Sequence, residues 1–164
     1  MTIMPEIVVI AHNVRSTHNI GSIFRTCDGF GVSKIVISGY SPYPKLPNDV
    51  RLPHLVEKLT GQIHKSALGA EAMVPFEYHA NINLKAIKKE GFRIVGLEQD
   101  KRSTLINKYI VPKKIAIILG EEVHGLTNDL RNICDDLIEI PMTGKKESFN
   151  VSVAAGIALY ALSI

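Results

Sequence analysis

The amino-acid sequence predicts an open α/β fold, a mostly parallel sheet with helices on both faces. Three observations carry that prediction. Short β-branched runs recur along the chain without strict polar alternation, so they suit strands buried on both faces. Segments of helical period lie between them, giving the β-α-β order of a parallel sheet. The 164 residues, 46% hydrophobic and 21% charged, have the size and balance of one globular domain with a substantial core.

The runs are Glu6 to Ala11, Lys34 to Ser38, Val74 to Tyr78, Phe92 to Leu97, Ile115 to Leu119 and Leu137 to Ile140. Between the first two, Ile20, Ile23, Phe24, Cys27 and Phe30 repeat at helical spacing, with Asn19 as the expected N-cap and Gly29 and Gly31 at the far end. Tyr40 to Pro53 holds Pro42, Pro44, Pro47 and Pro53, half of the chain's eight prolines, and is therefore an irregular surface loop. A helical region follows from Leu55 to Ala72. Asn81 to Gly91 repeats the helical pattern around Leu84 and Ile87, and Thr127 to Cys134 reads as a shorter helix. The last helix, Asn150 to Ile164, is apolar on nearly every face and rich in small residues. Either it is the central core helix or it packs against another subunit, in which case a charge at Ala155 or Ala158 facing the partner would release monomers. No repeat or linker divides the chain, so residues 1 to 164 are read as a single domain.

Composition narrows the function classes. The longest apolar stretch, Val151 to Ile164, falls short of the roughly 20 residues of a membrane span. Met1 to Val9 lacks a basic leader and reads as a first strand, which points to a cytoplasmic protein with no membrane partner. Cys27 and Cys134 lie far apart inside apolar patterns and suit reduced core thiols better than a disulfide or zinc site. A net charge of +3 permits an anionic partner without requiring one, because the lysine doublets are scattered. With no Trp and 6% aromatic residues, the chain lacks the obvious stacking platform of a single-strand binder.

In open α/β sheets, ligands collect beyond the carboxyl ends of the strands. Three loops stand there. The first, Asn13 to Thr26, is polar and basic, and its Arg25 is open to both a functional and an ordinary surface role. The second, Ile118 to Leu126, is a tight turn in which Gly120 and Gly125 supply backbone freedom and at most one of Glu121 and Glu122 points into a site. His124 finds no second ligand cluster, so no metal is expected. In the third, Ile140 to Ala155, Ser148 or Asn150 is a conventional N-cap. Dinucleotide and P-loop glycine patterns are both missing, which disfavours nicotinamide enzymes and nucleotide phosphatases.

Together and in this order, the three segments resemble the SPOUT superfamily, specifically the SpoU (TrmH-type) RNA ribose methyltransferases. The first is similar to the family's Asn-x-x-x-x-x-Arg motif through Asn19 and Arg25. The second resembles Gly-x-Glu-x-x-Gly-Leu through Gly120, Glu122, Gly125 and Leu126. The third resembles Ile-Pro-Met, then Ser-Leu-Asn-Val-Ser, then Ala-Gly, through Ile140 to Met142 and Ser148 to Gly156, with Phe149 at the usual Leu position. The resemblance covers essentially the whole sequence and shows no appended RNA-binding domain.

It implies a C-terminal trefoil knot, a homodimer through the first and last helices whose second subunit completes the site, and methyl transfer from S-adenosylmethionine to a ribose 2′-hydroxyl, leaving S-adenosylhomocysteine. By the same resemblance, Arg25 acts at the hydroxyl and its phosphate, Asn19 and Glu122 orient Arg25 or the ribose, and Ser148 and Asn150 position the substrate. Leu97, Gly120, Ile140, Met142 and Phe149 hold the cofactor, with Gly120 leaving it room for close approach. A structured RNA is the implied partner, with tRNA placed ahead of rRNA because a compact shape suits a bare dimer. Two rivals stand beside this: a knotted protein that binds RNA and cofactor without turnover, and an unrelated α/β enzyme acting on a small anionic metabolite.

Overall fold

A computed structural model describes residues 4–164. The six β-branched runs form strands β1 (Glu6–His12), β2 (Lys34–Ser38), β3 (Phe76–His79), β4 (Arg93–Leu97), β6 (Lys114–Leu119) and β7 (Asp136–Glu139), and a short strand β5 (Thr104–Leu105) that no run announced lies between β4 and β6 in the chain. They make one sheet in the order β3-β2-β1-β6-β4-β7-β5, and every pairing between these strands is parallel. The interior strand β1 is flanked on both sides, with Val9 opposite Ile35 of β2 and Ile117 of β6.

The helices are α1 (Thr17–Gly29), α2 (Pro53–Ala67), α3 (Leu84–Lys89), α4 (Asn128–Ile133) and α5 (Val151–Ser163). Period-two alternation sorts them into layers, because successive strand side chains point to opposite faces. Ile7, Val9 and Ala11 of β1 join Ile115, Ile117 and Leu119 of β6 in the core under α1, α2 and α5. Val8, Ile10, Ala116 and Ile118 face the other way, against Leu84 and Ile87 of α3 and Leu130 of α4. Cys27 is buried in the first core and Cys134 is half-buried beside the second, both as free thiols.

Several boundaries differ from the expected ones for local reasons. The N-cap of α1 is Ser16, not Asn19: Ser16 is extended (φ −80°, ψ 124°) and its side chain accepts from the Asn19 backbone N–H. Asn19 therefore lies inside the first turn, on the buried side. The helix expected to run to Ala72 stops at Ala67, because Leu68 (φ 52°) and Gly69 (φ 101°) are left-handed, and a separate 3₁₀ turn covers Ala70–Ala72. The third helix shrinks to Leu84–Lys89, capped by Asn83. The irregular loop expected from Tyr40 to Pro53 ends at Leu52, because Pro53 opens α2, and Arg51 ties it down. That guanidinium donates to the Asp49 carboxylate at 2.9 and 2.6 Å and to the Tyr43 and Pro44 carbonyls at 3.1 and 3.0 Å.

The core reading of the last helix holds for one of its faces, and the other face is open. Val151, Ala155, Ala158, Leu159 and Leu162 are buried on this chain's own core, whereas Val153, Tyr160 and Ile164 are exposed. A charge at Ala155 or Ala158 would therefore damage the fold and could not report on a partner.

Candidate active site

The connection from β1 leads through α1 to β2, and that from β6 leads through α4 to β7 on the opposite side. The chain thus diverges between β1 and β6, the kind of switch point at which open α/β sheets bind ligands. Glu122, in the loop after β6, bridges that divergence. Its carboxylate accepts the Arg15 N–H at 3.1 Å on each oxygen, the Ser16 N–H at 3.3 Å and the Asn19 side-chain amide at 3.3 Å. The Asn19 oxygen in turn accepts from the Asn150 amide at 3.3 Å. Asn150 caps α5, its own oxygen accepting from the Ser152 N–H at 2.8 Å and hydroxyl at 2.7 Å. Burial pushes the Glu122 carboxyl upward, but the donors from Arg15, Asn19 and Ser16 outweigh it and hold the group below the ordinary glutamate value.

The turn carrying Glu122 needs its glycines. A Cβ on Gly120 would lie 2.8 Å from the Gly125 carbonyl carbon, 2.9 Å from the Leu126 nitrogen and 2.7 Å from the Leu126 side chain. The protein's own closure of the loop, more immediately than room for a ligand, excludes a side chain there. Glu98, directly after β4, secures the other end: it accepts the Leu126 N–H at 2.8 Å and pairs with Arg131 at 3.8 Å.

Beyond the ends of β4, β6 and β7 lies a cleft of about 320 Å³. Among the expected residues, Leu97, Gly120, Glu122, Ile140, Ser148 and Phe149 line it. Asn19 and Asn150 stand behind this wall, joined to it through Glu122. Met142 is not part of the lining, and Arg25 is exposed on α1, apart from the hydrogen-bonded chain. The cleft also takes in Glu98, Gln99, Glu139 and Glu147, which the sequence reading did not single out, and both Glu121 and Glu122 line it where at most one was expected, because the tight turn folds the two side chains to the same opening. For Glu98 and Gln99 the available signal was their place immediately after a predicted strand end. Among the described residues no cluster of three metal-ligating side chains forms, and no helix is long and apolar enough to cross a membrane.

Comparison with known proteins gives a consistent picture. The model of a family described as the SpoU rRNA methylase family matches residues 6–160. A curated protein of Nitrosomonas europaea, named 23S rRNA (guanosine-2′-O-)-methyltransferase RlmB, is 35% identical over 158 residues, which are 95% of this chain and 55% of that protein. The chain thus spans about half the length of the curated relatives it matches. Among solved structures, the A. aeolicus TrmH/SpoU tRNA modifying enzyme is 28% identical with a TM-score of 0.76, covering 98% of this chain and 77% of that one. The SpoU methyltransferase AviRb from Streptomyces viridochromogenes, solved with the cofactor AdoMet, shares the fold at 23% identity and a TM-score of 0.78, over 98% of this chain and 57% of that one.

Proposed function

The chain belongs to the SpoU methylase family, and on that premise we propose that it transfers a methyl group from S-adenosylmethionine to a ribose 2′-hydroxyl of structured RNA. The observation that carries the proposal is the chain of hydrogen bonds from Glu122 through Asn19 to Asn150 behind the cleft, since it ties together all three motif-bearing loops.

The cleft suits the cofactor. Its volume lies within the roughly 300–1,000 Å³ of small-molecule sites. Leu97, Leu119, Ile140, Phe149 and Val151 offer apolar walls for an adenine, and the carboxylates of Glu98, Glu121, Glu122, Glu139 and Glu147 complement a sulfonium and an ammonium. When bound, the cofactor supplies a methyl group that is already activated. The chain's own task is then to align the nucleophile and stabilise the charge it develops. Arg25 takes that second role. A guanidinium is effectively always protonated, so Arg25 binds the neighbouring phosphate and the developing alkoxide while the proton leaves to water. Glu122, Asn19 and Asn150 fix the helix that carries Arg25, and Ser148 faces the ribose from the third loop. Met142 and the trefoil knot belong to this proposal through the family resemblance. The sheet order supports the knot, because β6 and β7 enter between strands laid down earlier in the chain.

A homodimer is part of the same reading. The exposed Val153 and Tyr160 on α5 and Ile164 just past its end, with Phe30 against Tyr160 at 6.5 Å between ring centroids, make an apolar face suited to a second copy. The free cysteines fit a reducing, cytoplasmic setting. For the RNA itself, the relatives named for 23S rRNA favour ribosomal RNA; tRNA is the second reading, favoured by the A. aeolicus structure.

Labelled S-adenosylmethionine, offered with separated ribosomal and transfer RNA pools and followed by mapping of alkali-resistant linkages, tests substrate and chemistry together. Label at one ribose is the expected result. Cofactor binding without label in any RNA points to the non-catalytic binder, and absence of cofactor binding points to the small-metabolite enzyme.

A further inference from the structure

Beside the cleft stand two exposed side chains that the proposed chemistry leaves unused, Tyr40 and Arg15. Their backbones are fixed. The Arg15 N–H is held by Glu122, and the Tyr40 N–H donates to the Asn13 side chain at 3.1 Å. Gly39, just before Tyr40, is left-handed (φ +67°) and packs so tightly that a Cβ would lie 1.8 Å from the Asn13 oxygen. Its carbonyl accepts the Tyr78 hydroxyl at 2.6 Å. Just after Tyr40, the buried Ser41 hydroxyl donates to the Ala11 carbonyl at 3.2 Å and accepts the Val14 N–H at 2.8 Å.

The side chains are placed very differently from those backbones. Tyr40 is 54% exposed, and the Arg15 side chain is 72% exposed. The Arg15 guanidinium lies 5.8 Å from the Tyr40 ring centroid and 3.6 Å from Glu121, a residue of the cleft lining. The arginine is the open partner of this long pair, while the Glu121 carboxylate is 9% exposed and also accepts the His124 N–H at 2.6 Å, so it keeps a donor when the guanidinium turns to a stronger anion. The ring contributes little to the core, yet its Cα is anchored from both sides.

We propose that Tyr40 and Arg15 form a nucleotide clamp at the mouth of the site. The Tyr40 ring stacks on an unstacked base next to the ribose to be methylated, and Arg15 takes the adjoining phosphate. This rests on the RNA methyltransferase reading and deepens it: the preferred substrate is a nucleotide splayed from a loop or bulge, where a base face is available to an aromatic ring. A chain poor in aromatics needs only one ring for this if that ring is held at the reacting nucleotide.

The test uses the full chain and hairpin RNAs carrying 2-aminopurine in the loop, with binding followed by fluorescence at several salt concentrations. Wild type and Tyr40→Phe are expected to quench the probe on binding. Tyr40→Leu should lose the quenching and bind about tenfold to a hundredfold more weakly. Arg15→Gln should flatten the slope of log Kd against log salt by about 0.7. Thermal stability and affinity for S-adenosylmethionine should stay at the wild-type level in all three variants. RNA binding by Tyr40→Leu and Arg15→Gln indistinguishable from wild type, or no RNA binding by wild type, overturns the clamp. Methyl transfer is measured on the same samples: quenched binding with no transfer overturns the methyltransferase reading and leaves the clamp standing, whereas transfer that Tyr40→Leu does not weaken overturns the clamp alone.

Discussion

The two sides of the cleft are held in opposite ways. On one side, the loops after β1 and β6 are locked together by Glu122, which collects three backbone and side-chain donors. On the other, the segment from Pro141 to Phe149 is exposed except for a half-buried Met142; the Arg25 side chain is equally exposed, although the first turn of its helix is held by Glu122 through Asn19. The first group is fixed by the fold before any ligand arrives, so its geometry is preorganised. On the proposed function the second meets cofactor and RNA, and any ordering of it on binding is set against the affinity. Substitutions in the two groups should therefore fail in different currencies: stability and cofactor affinity for the fixed group, rate or bound-state order for the free one.

The largest expected effect belongs to the exposed Arg25 side chain. Arg25→Ala should lower single-turnover methylation of a validated RNA about a hundredfold to a thousandfold, the usual cost of removing one charge contact at a developing alkoxide. Because Arg25 is exposed, melting temperature and cofactor affinity should hardly move. Lys should rescue poorly, since an ammonium lacks the planar, two-pronged contact of a guanidinium. Early melting with near-normal turnover of the folded fraction would make the arginine structural and break the comparison.

Next comes Gly120→Ala, on the fixed side. The added Cβ meets two backbone atoms at 2.8 and 2.9 Å, which cannot yield as a side-chain tip would. Overpacking of this kind costs about 1–3 kcal/mol, and both denaturation midpoint and calorimetric affinity for S-adenosylmethionine should fall together. A fall in affinity at unchanged stability would mean that the ligand alone needs the space.

Glu122→Gln tests the same side through pH. The folded carboxyl sits below its ordinary value, so its stabilisation is fully present above the unfolded-state value and is lost as pH falls through the folded one. The stability gap between wild type and variant should be present at neutral pH and shrink on acidification below about 4.3. Since Glu122 is partly exposed, the gap should be about 1 kcal/mol or less. A gap that does not change between neutral pH and pH 3 would show that the carboxylate's charge is not what holds the two loops.

The same division explains what the sequence could disclose. The alternating cores of β1 and β6 were legible because burial on two faces imposes an unbroken apolar run. Gly120, Glu122 and Gly125 were legible because a tight turn restricts residue type locally. Ser16 and Asn19 are both good caps three residues apart, and nothing local chooses between them. The Asn19 side chain is instead engaged by Glu122, 103 residues away. Glu98 escaped notice for the same reason, its partner Leu126 being 28 residues on. The two-residue β5 is too short to carry a period at all. The last helix read as apolar all round, but a sequence cannot say which half of such a helix its own core will cover.

The smallest effect belongs to a second glycine, and it sharpens the comparison most. Gly144 lies in the free segment, with nothing within 4 Å of a Cβ and no left-handed φ. At a compatible site, Gly→Ala ordinarily stabilises a folded protein by about 0.4–1 kcal/mol, because alanine has less freedom to lose. That gain requires the folded segment to be fixed. If the stretch around Gly144 is ordered only by its ligands, Gly144→Ala restricts folded and unfolded chains alike, and the free protein should melt where wild type does. The gain then reappears on binding, as a twofold to fivefold tighter affinity for S-adenosylmethionine, about 0.4–1 kcal/mol. Paired melting and calorimetry on this variant read both quantities. A full stabilisation of the free protein with unchanged affinity would show that this side of the cleft is as preorganised as the side that Glu122 holds.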